Sequence, residues 1–474
     1  MNAMAFSPEL FVGAAALFFL FAAMGPHTTA RRLYFAALSI SALAVVVSLL
    51  ALPQQGLLFV GSYRVDLFSQ VFKALLAMGL FLVVCLCSRL EGVAPRWHAE
   101  FYLLLFTCTL AMMLLVSAVH LISLYVALEL SSYSLYVLVA LRRDRSLGLE
   151  AALKYFLVGV VASAVMLFGM ALLYAQTGSA HLLELRSLLP PMLAQPLVIV
   201  ALVLSLGGFF FKLALFPFHF WAPDVYQGGA HQLGAFIAAV SKLAAVAVLL
   251  RVTIDTAQGS RLLADLLVGL AVVSMTVGNL AAIAQNDFKR MLAFSSIAHA
   301  GYVLIGILCL SPDGVAGSIF YAVSLLVMKF SCFMVVAWVA WDGANPTIAQ
   351  LAGLHRRSPL LAMTLMLAVF GLAGIPPTIG FTAKLLVFTA AIRQGYLILV
   401  IIAMANVVVS LYYYLSVVKA AYLTEPVRAD AGAALILTPP ERLLAYLMLA
   451  AMIGAGFFPH YLIEWTREAA GYLF

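Results

Sequence analysis

Lysines inside apolar segments are the residues of this chain best suited to chemistry. Seven of the eight lysines fall within such segments: Lys73, Lys154, Lys212, Lys242, Lys329, Lys384 and Lys419. The 18 arginines instead lie at or near segment ends. Desolvation lowers the pKa of a lysine by up to several units, whereas arginine stays charged in any surroundings. The lysines therefore predict a set of buried sites that take up and release protons.

One acid and one histidine extend this set. Glu129 lies in the segment LYVALELSSYSLYVLVAL, nine residues after His120, which is about 14 Å along a helix. A carboxylate at that depth needs a cationic partner or a proton. His299, in FSSIAHAGY, is able to relay a proton near neutral pH.

Some of these lysines also fit a simpler interpretation. Lys419 is expected to extend to the cytoplasmic surface, Lys73 fits an outward extension equally well, and Lys154 is close enough to reach the cytoplasmic interface. Four other lysines lie too far from either membrane surface for their side chains to reach it. We therefore expect these four to be functional, with a structural ion pair as the alternative. They are Lys212, Lys242, Lys329 and Lys384.

The composition shows which elements must hold these residues. Hydrophobic residues make up 65% of the 474 residues and charged residues 9%, against roughly a quarter charged in soluble domains. That excludes a soluble protein and predicts an all-α polytopic membrane protein. The net charge of +7 is then explained by topology, without a nucleic-acid partner. No P-loop, dinucleotide fingerprint, zinc or iron–sulfur pattern occurs, so no cofactor is expected in this chain.

Fourteen apolar segments are expected to cross the bilayer as helices. They lie near 8–24, 33–52, 66–88, 99–116, 120–141, 150–174, 196–217, 231–250, 262–285, 293–310, 315–341, 359–392, 396–423 and 441–458. The segment 359–392 is too long for one straight crossing, and Pro376 and Pro377 interrupt it, which predicts a broken helix.

Basic residues in alternate loops predict the orientation. One side carries thirteen: Arg31, Arg32, Arg89, Arg96, Arg142, Arg143, Arg145, Lys289, Arg290, Arg356, Arg357, Arg428 and Arg442. The other side carries six: Arg64, Arg186, Arg251, Arg261, Arg393 and Arg467. By the positive-inside rule the first side is cytoplasmic and both termini face outward.

Helices four to eight and nine to thirteen form two versions of one unit. The fourth member of each combines a lysine with a proline interruption: Lys212 with Pro217, and Lys384 after Pro376. Five helices is an odd number, so the second copy is inverted, as in transporters with sites near mid-membrane. We therefore expect four parts: N-terminal helices (1–98), a first repeat (99–254), an inverted second repeat (255–424), and a C-terminal helix and tail (425–474).

Three motifs carry a family resemblance. GGFFFKLALFPFHFWAPDVYQG, FKRMLAFSSIAHAGY and AGIPPTIGFTAKL resemble the antiporter-like subunits of respiratory complex I, the proton-translocating NADH:quinone oxidoreductase. The PDVY motif makes the chain most similar to the subunit N type. The resemblance covers helix two to helix fourteen.

The resemblance implies roles for individual residues. Glu129 pairs with Lys212, Lys154 modulates that pair, and Lys242 and Lys384 continue a hydrated polar axis that runs parallel to the membrane plane and is linked to half-channels. Lys329 is closer to the L-type relative, so either it extends the axis or the chain belongs to a divergent complex.

The resemblance also implies partners. They are M- and L-type and small membrane subunits of complex I, the lipid bilayer and protons. NADH, FMN, iron–sulfur clusters and quinone are expected in other subunits, and no redox site in this chain. The expected location is a bacterial cytoplasmic membrane, with an organellar inner membrane as the other possibility.

Two other functions are compatible with the buried lysines. The first is a subunit of an Mrp-type sodium/proton antiporter or of a membrane-bound hydrogenase with the same fold. The second is a membrane scaffold whose lysines form only structural ion pairs. A solute carrier fits worst, since nearly all of the buried polar groups are protonatable.

Overall fold

Long apolar helices make up nearly all of the described chain. The computed structural model describes residues 3–25, 29–142, 144–257, 260–340, 342–425 and 434–474. Arg143 and Arg428, two of the basic residues used for orientation, lie outside these ranges. Within the described ranges, thirteen helices are long and apolar enough to cross a membrane.

Every predicted segment corresponds to a helix. The helices are α1 Ser7–Met24, α2 Ala30–Leu50, α3 Leu67–Leu86, α4 His98–Ser117, α5 Leu121–Ala140, α6 Arg145–Thr177, α7 Pro196–Leu213, α8 His231–Thr256, α9 Arg261–Ile283, α10 Phe288–Leu308, α11 Pro312–Val339, α12a Pro359–Ala373, α12b Ile379–Arg393, α13 Leu397–Leu423 and α14 Pro439–Phe457. The predicted all-α membrane fold is thus confirmed. Segment ends differ from the predicted ones by up to several residues because hydropathy does not register caps and interfacial turns.

The chain divides into two compact units. One comprises Met1–Leu267 and Glu468–Phe474, and the other comprises Val268–Arg467. Each unit contains one broken helix with a lysine beside the break, as the motifs predicted. The four-part division made from the sequence stays a prediction.

Loops of the first unit meet at two ends. The hairpin of β1 (Gly56–Leu58) and β2 (Tyr63–Val65) precedes α3, and Tyr63 pairs with Ala118 between α4 and α5. His120 pairs in turn with His181 after α6, whereas Val93 pairs with Arg142 between α5 and α6. The loops therefore alternate between the ends as predicted.

The second unit shows the same alternation. Asp287 before α10 pairs with Thr347 after α11. Asp313 at the start of α11 instead contacts Arg393 at the end of α12b, with 2.6 Å between Nη1 and Oδ2. Which end of each unit is cytoplasmic remains a prediction from the basic residues.

Both helix breaks have a backbone cause. In α7 the helix stops at Leu213 because Ala214 takes a left-handed conformation (φ 60°), and Pro217 lacks the N–H that a continuing helix requires. The interruption thus begins three residues before the proline that predicted it. In α12, Gly374 (φ 87°) ends the first half and the two prolines occupy the connection to α12b.

A close helix contact beside the first break is testable. A Cβ at Gly169 of α6 would lie 2.3 Å from the backbone N of Ser205 in α7, so neither backbone can yield by a rotamer change. We expect Gly169→Ala to destabilise the subunit by about 1–3 kcal/mol, measured as a lower thermal midpoint of the detergent-solubilised complex. Gly269→Ala on α9, where nothing lies within 4 Å, is the control; equal midpoints for both variants would contradict this packing.

Candidate functional site

Lys212 is buried near the end of α7 and is held by hydroxyl groups. The residue is only 1% exposed. The ammonium donates hydrogen bonds to Ser131 Oγ at 2.8 Å and to Ser132 Oγ at 3.4 Å, both on α5. Hydroxyl oxygens are neutral acceptors, so they hold the charge of an ammonium less strongly than a carboxylate would.

Glu129 lies one turn before these serines but binds a different partner. It is 9% exposed, and Ser163 of α6 donates a hydrogen bond to its Oε1. The resemblance implied a Glu129–Lys212 pair, whereas the structure gives each residue a serine. Ser132, three residues after Glu129, shares its helix face and is one of the two serines bonded to Lys212. The described hydrogen bonds of Glu129 and Lys212 thus go to serines rather than to each other.

Lys242 binds the carbonyl end of α7. Its Nζ donates to the backbone oxygen of Leu213 at 2.8 Å, the last residue of that helix. The final carbonyls of a helix lack intrahelical donors and carry partial negative charge, so they suit an ammonium. Lys242 thus binds the residue that directly follows Lys212 in the chain.

Lys384 repeats this arrangement in the second unit. Its Nζ donates to the backbone oxygens of Leu372 at 2.8 Å and Ala373 at 2.7 Å, the last two residues of α12a. The ring of Tyr302 lies 5.3 Å from the same nitrogen, within cation–π range. A lysine on the carbonyl end of a broken helix is thus common to both units.

Lys329 begins a chain of hydrogen bonds that includes His299. Lys329 Nζ donates to Ser295 Oγ at 2.7 Å, and Ser295 Oγ lies 2.5 Å from Tyr414 OH. Tyr414 OH is 3.1 Å from His299 Nε2, whose Nδ1 is 2.8 Å from Tyr321 OH. Every link is a group that both donates and accepts a hydrogen bond, which is what proton relay requires.

Lys154 lies apart from these sites. Its side chain is 46% exposed, and Nζ contacts Glu150 Oε1 at 2.7 Å and Asp224 Oδ2 at 2.8 Å. Its direct partners are therefore the acids Glu150 and Asp224, not Glu129. The position of Lys154 at the membrane interface stays a prediction.

The structure decides between the two interpretations of Lys73. Its side chain is fully buried and pairs with Glu9 at 2.7 Å rather than extending outward. The loop position predicted for Arg251 is wrong, because this residue lies inside α8 and binds Asp66 through two N–H groups. In both cases an acid distant in sequence neutralises the buried charge.

Sequence reasoning also missed the hydroxyl partners of the candidate residues. Ser131, Ser132 and Ser295 accept from lysines, Ser163 donates to Glu129, and Tyr321 and Tyr414 contact His299. The signals for them are the serine pairs in LELSSYS and FSSIAHAGY. Within the described residues, no three His, Cys, Asp or Glu side chains are grouped to hold a metal ion.

Comparison with known proteins agrees with this geometry. The family described as NADH:quinone oxidoreductase/Mrp antiporter, transmembrane, matches residues 118–410. NADH-quinone oxidoreductase subunit N 2 of Syntrophobacter fumaroxidans is 57% identical over 99% of both chains. The protein of the same name from Opitutus terrae is 42% identical over 97% of this chain and 96% of its own.

Solved structures share the fold. A chain of respiratory complex I from Thermus thermophilus matches with a TM-score of 0.83 and 34% identity, over 96% of this chain and 98% of its own. A chain of the Mrp complex from Dietzia sp. matches in fold at a TM-score of 0.88 and 20% identity, over 100% and 98%. The chain belongs to the NADH:quinone oxidoreductase/Mrp antiporter membrane-subunit family and, within it, to subunit N of NADH-quinone oxidoreductase.

Proposed function

We propose that this chain translocates protons through its buried lysines, driven by redox chemistry in other subunits of an NADH:quinone oxidoreductase. The observation that carries the proposal is the placement of Lys242 and Lys384, one in each unit, on the carbonyl end of a broken helix. An ammonium stabilised by neutral oxygens in a low-dielectric site is close in free energy to its neutral amine. A small electrostatic change is then enough to move its proton.

In the first unit the proton begins on Lys212. A charge change in a neighbouring subunit alters the electrostatic interaction between Glu129 and Lys212. When the carboxylate no longer stabilises the ammonium, Lys212 holds its proton less tightly. The proposed acceptor is Lys242, which binds the carbonyl of Leu213, the residue next to Lys212.

In the second unit the hydrogen-bonded chain carries the proton. Lys329 releases it to Ser295, and Tyr414 passes it to His299. The ring of Tyr302 packs against both His299 and Lys384, at 5.8 Å between ring centroids and 5.3 Å to Nζ. A ring face does not carry a proton, so the step from His299 to Lys384 requires bridging water. Lys384 is the final carrier and releases the proton to the outward side.

The remaining functions belong to partner subunits. A subunit of this family sits in a complex with other membrane subunits, and we propose M- and L-type relatives and small membrane subunits as its neighbours. NADH, FMN, iron–sulfur clusters and quinone bind elsewhere in that complex. The chain would reside in a bacterial cytoplasmic membrane with both termini outside.

The close relatives named subunit N favour this function over the Mrp-type antiporter, whose solved chain is similar in fold. A scaffold function would require the deeply buried lysines to be ion-paired. The described hydrogen bonds of Lys212 and Lys384 go to hydroxyl and carbonyl oxygens instead.

Loss of Lys212 tests the pathway directly. We expect Lys212→Ala to lower NADH-driven acidification of inverted membrane vesicles by at least about tenfold, because one proton-transfer group contributes 10²–10⁴-fold to rate. Lys419→Ala, at an exposed lysine of α13, is the matched control. Wild-type pumping by Lys212→Ala at equal complex content would refute the proposal.

The Lys384→Arg substitution distinguishes a lysine that must release its proton from one that only supplies a positive charge. Lys384→Arg keeps a cation for the carbonyls of Leu372 and Ala373 but cannot release its proton. We expect the variant to assemble at wild-type levels and to pump at less than about a tenth of the wild-type rate. A purely structural lysine predicts the opposite result, assembly together with normal pumping. Complex content is read from native gels and pumping from vesicle acidification.

The relay in the second unit depends on one hydroxyl group. Ser295→Ala removes the contact between Lys329 and Tyr414, and we expect proton pumping per NADH oxidised to fall severalfold. Ser324→Ala, which removes a buried hydroxyl bonded only within its own helix α11, is the control. Equal pumping by the two variants would exclude the relay through Ser295.

A further inference from the structure

A second buried ion pair lies in the first unit, away from the sites described above. Glu9 of α1 and Lys73 of α3 approach to 2.7 Å between Oε1 and Nζ, and both side chains are fully buried. Tyr63 OH donates to the same Oε1 at 2.5 Å, and its ring lies 5.2 Å from Lys73 Nζ. Acid, base and phenol thus form one compact cluster.

The carboxylate of the pair has one oxygen without a described protein partner. Among the described residues, Glu9 Oε2 and Gln70 Oε1 are buried side-chain oxygens without a hydrogen bond. Gln70 lies one turn before Lys73 on the same face of α3. Buried polar atoms in proteins are nearly always satisfied by protein or by ordered water, so Glu9 Oε2 suits a bound water molecule.

The phenol acts as a fixed donor in this cluster. Burial and the adjacent Glu9 carboxylate raise the pKa of Tyr63 well above its usual value. Tyr63 therefore keeps its proton and orients the carboxylate. The groups left to change charge are Glu9 and Lys73.

A line of charges continues from the cluster to the surface. Asp66, two helical turns before Lys73 on the same face of α3, accepts from Arg251 Nη1 and Nη2 at 3.0 and 2.9 Å. One turn beyond Arg251 in α8, Asp255 contacts Arg186 at 3.6 Å, and that arginine is 34% exposed.

Arg251 and Arg64 keep Asp66 ionised. Burial alone would raise the pKa of the Asp66 carboxyl, but the two arginines outweigh it and hold that pKa below its usual value. The charges along the line thus alternate from the buried pair to the protein surface.

The pair also lies along the helix that carries Lys242. The α3 helix runs antiparallel to α8, since Gly79 packs on Val240 while Asp66 binds Arg251. Lys73 lies between Gly79 and Asp66 on α3, so it faces the part of α8 between Lys242 and Arg251. Compared with Lys242, Lys73 is therefore nearer to the end of α8 that carries Asp255.

We propose that Glu9 and Lys73 form a proton-release site through which the first unit delivers protons to the side of the membrane that carries the β1–β2 hairpin. This inference rests on the proposed function, because Lys242 must supply the proton. An arriving proton binds Glu9 and neutralises it. The Lys73 ammonium, no longer stabilised by a carboxylate, releases one proton to water along the Asp66–Arg251 line. The Glu9 proton then moves to Lys73, so one proton enters and one leaves.

The test replaces the pair by neutral residues of similar shape. Single removal of either charge leaves the other buried and unpaired, which is strongly destabilising. The double variant Glu9→Gln/Lys73→Met removes both charges, so a structural pair predicts normal assembly and normal pumping. The release site predicts normal assembly with proton pumping per NADH reduced at least fivefold in inverted vesicles. Normal pumping by the double variant would overturn the proposal.

A second variant tests the proposal if the double variant does not assemble. Lys73→Arg keeps the ion pair with Glu9 but cannot release a proton, so we expect an assembled complex with the same loss of pumping. An assembled Lys73→Arg complex that pumps normally would also overturn the release site.

Lys212→Ala, measured in the same vesicles, separates the two hypotheses. If it pumps normally, the proposed function itself is wrong. If it stops pumping while the assembled pair variants pump normally, only the release site is wrong.

Discussion

An ammonium group in the membrane interior needs oxygen acceptors, and this requirement organises the whole chain. Regular helices offer none along their length because each carbonyl is already bonded within the helix. Interrupting α7 and α12 frees the carbonyls of Leu213, Leu372 and Ala373 for Lys242 and Lys384. The helix breaks and the buried lysines are therefore two parts of a single structural solution.

The type of acceptor divides the lysines into two groups. Lys73 and Lys154 contact carboxylates directly, whereas the described hydrogen bonds of Lys212 and Lys384 go to hydroxyl or carbonyl oxygens. A carboxylate holds an ammonium in its charged form, and a neutral oxygen does so less strongly. For Lys212 the nearby acid, Glu129, is bonded to Ser163 instead, so its effect on the ammonium is electrostatic and depends on the distance between the two charges.

Much of the fold followed from one-dimensional properties. Fourteen apolar segments, the alternation of loops and the break at Pro376 and Pro377 were all predictable, because burial in lipid requires about 20 apolar residues for each crossing. The start of the α7 break was misplaced by three residues, since it depends on the backbone conformation of Ala214. Proline marks an interruption but does not say at which residue the helix stops.

Residue type and depth indicated most of the proton-carrying candidates, because few residues other than lysine, glutamate and histidine can change charge inside a membrane. They missed Glu9, whose pairing with Lys73 appears only in the folded chain. Glu9 and Lys73 are 64 residues apart, and Asp66 and Arg251 are 185 apart, so no local pattern joins them. The serine contacts of Lys212 and the Ser295–Tyr414–His299 chain likewise arise where separate helices pack. Residue types thus limit which groups can carry charge, whereas helix packing selects the neighbour that stabilises each charge, because Coulomb and hydrogen-bond energies depend on distances that only the folded chain creates.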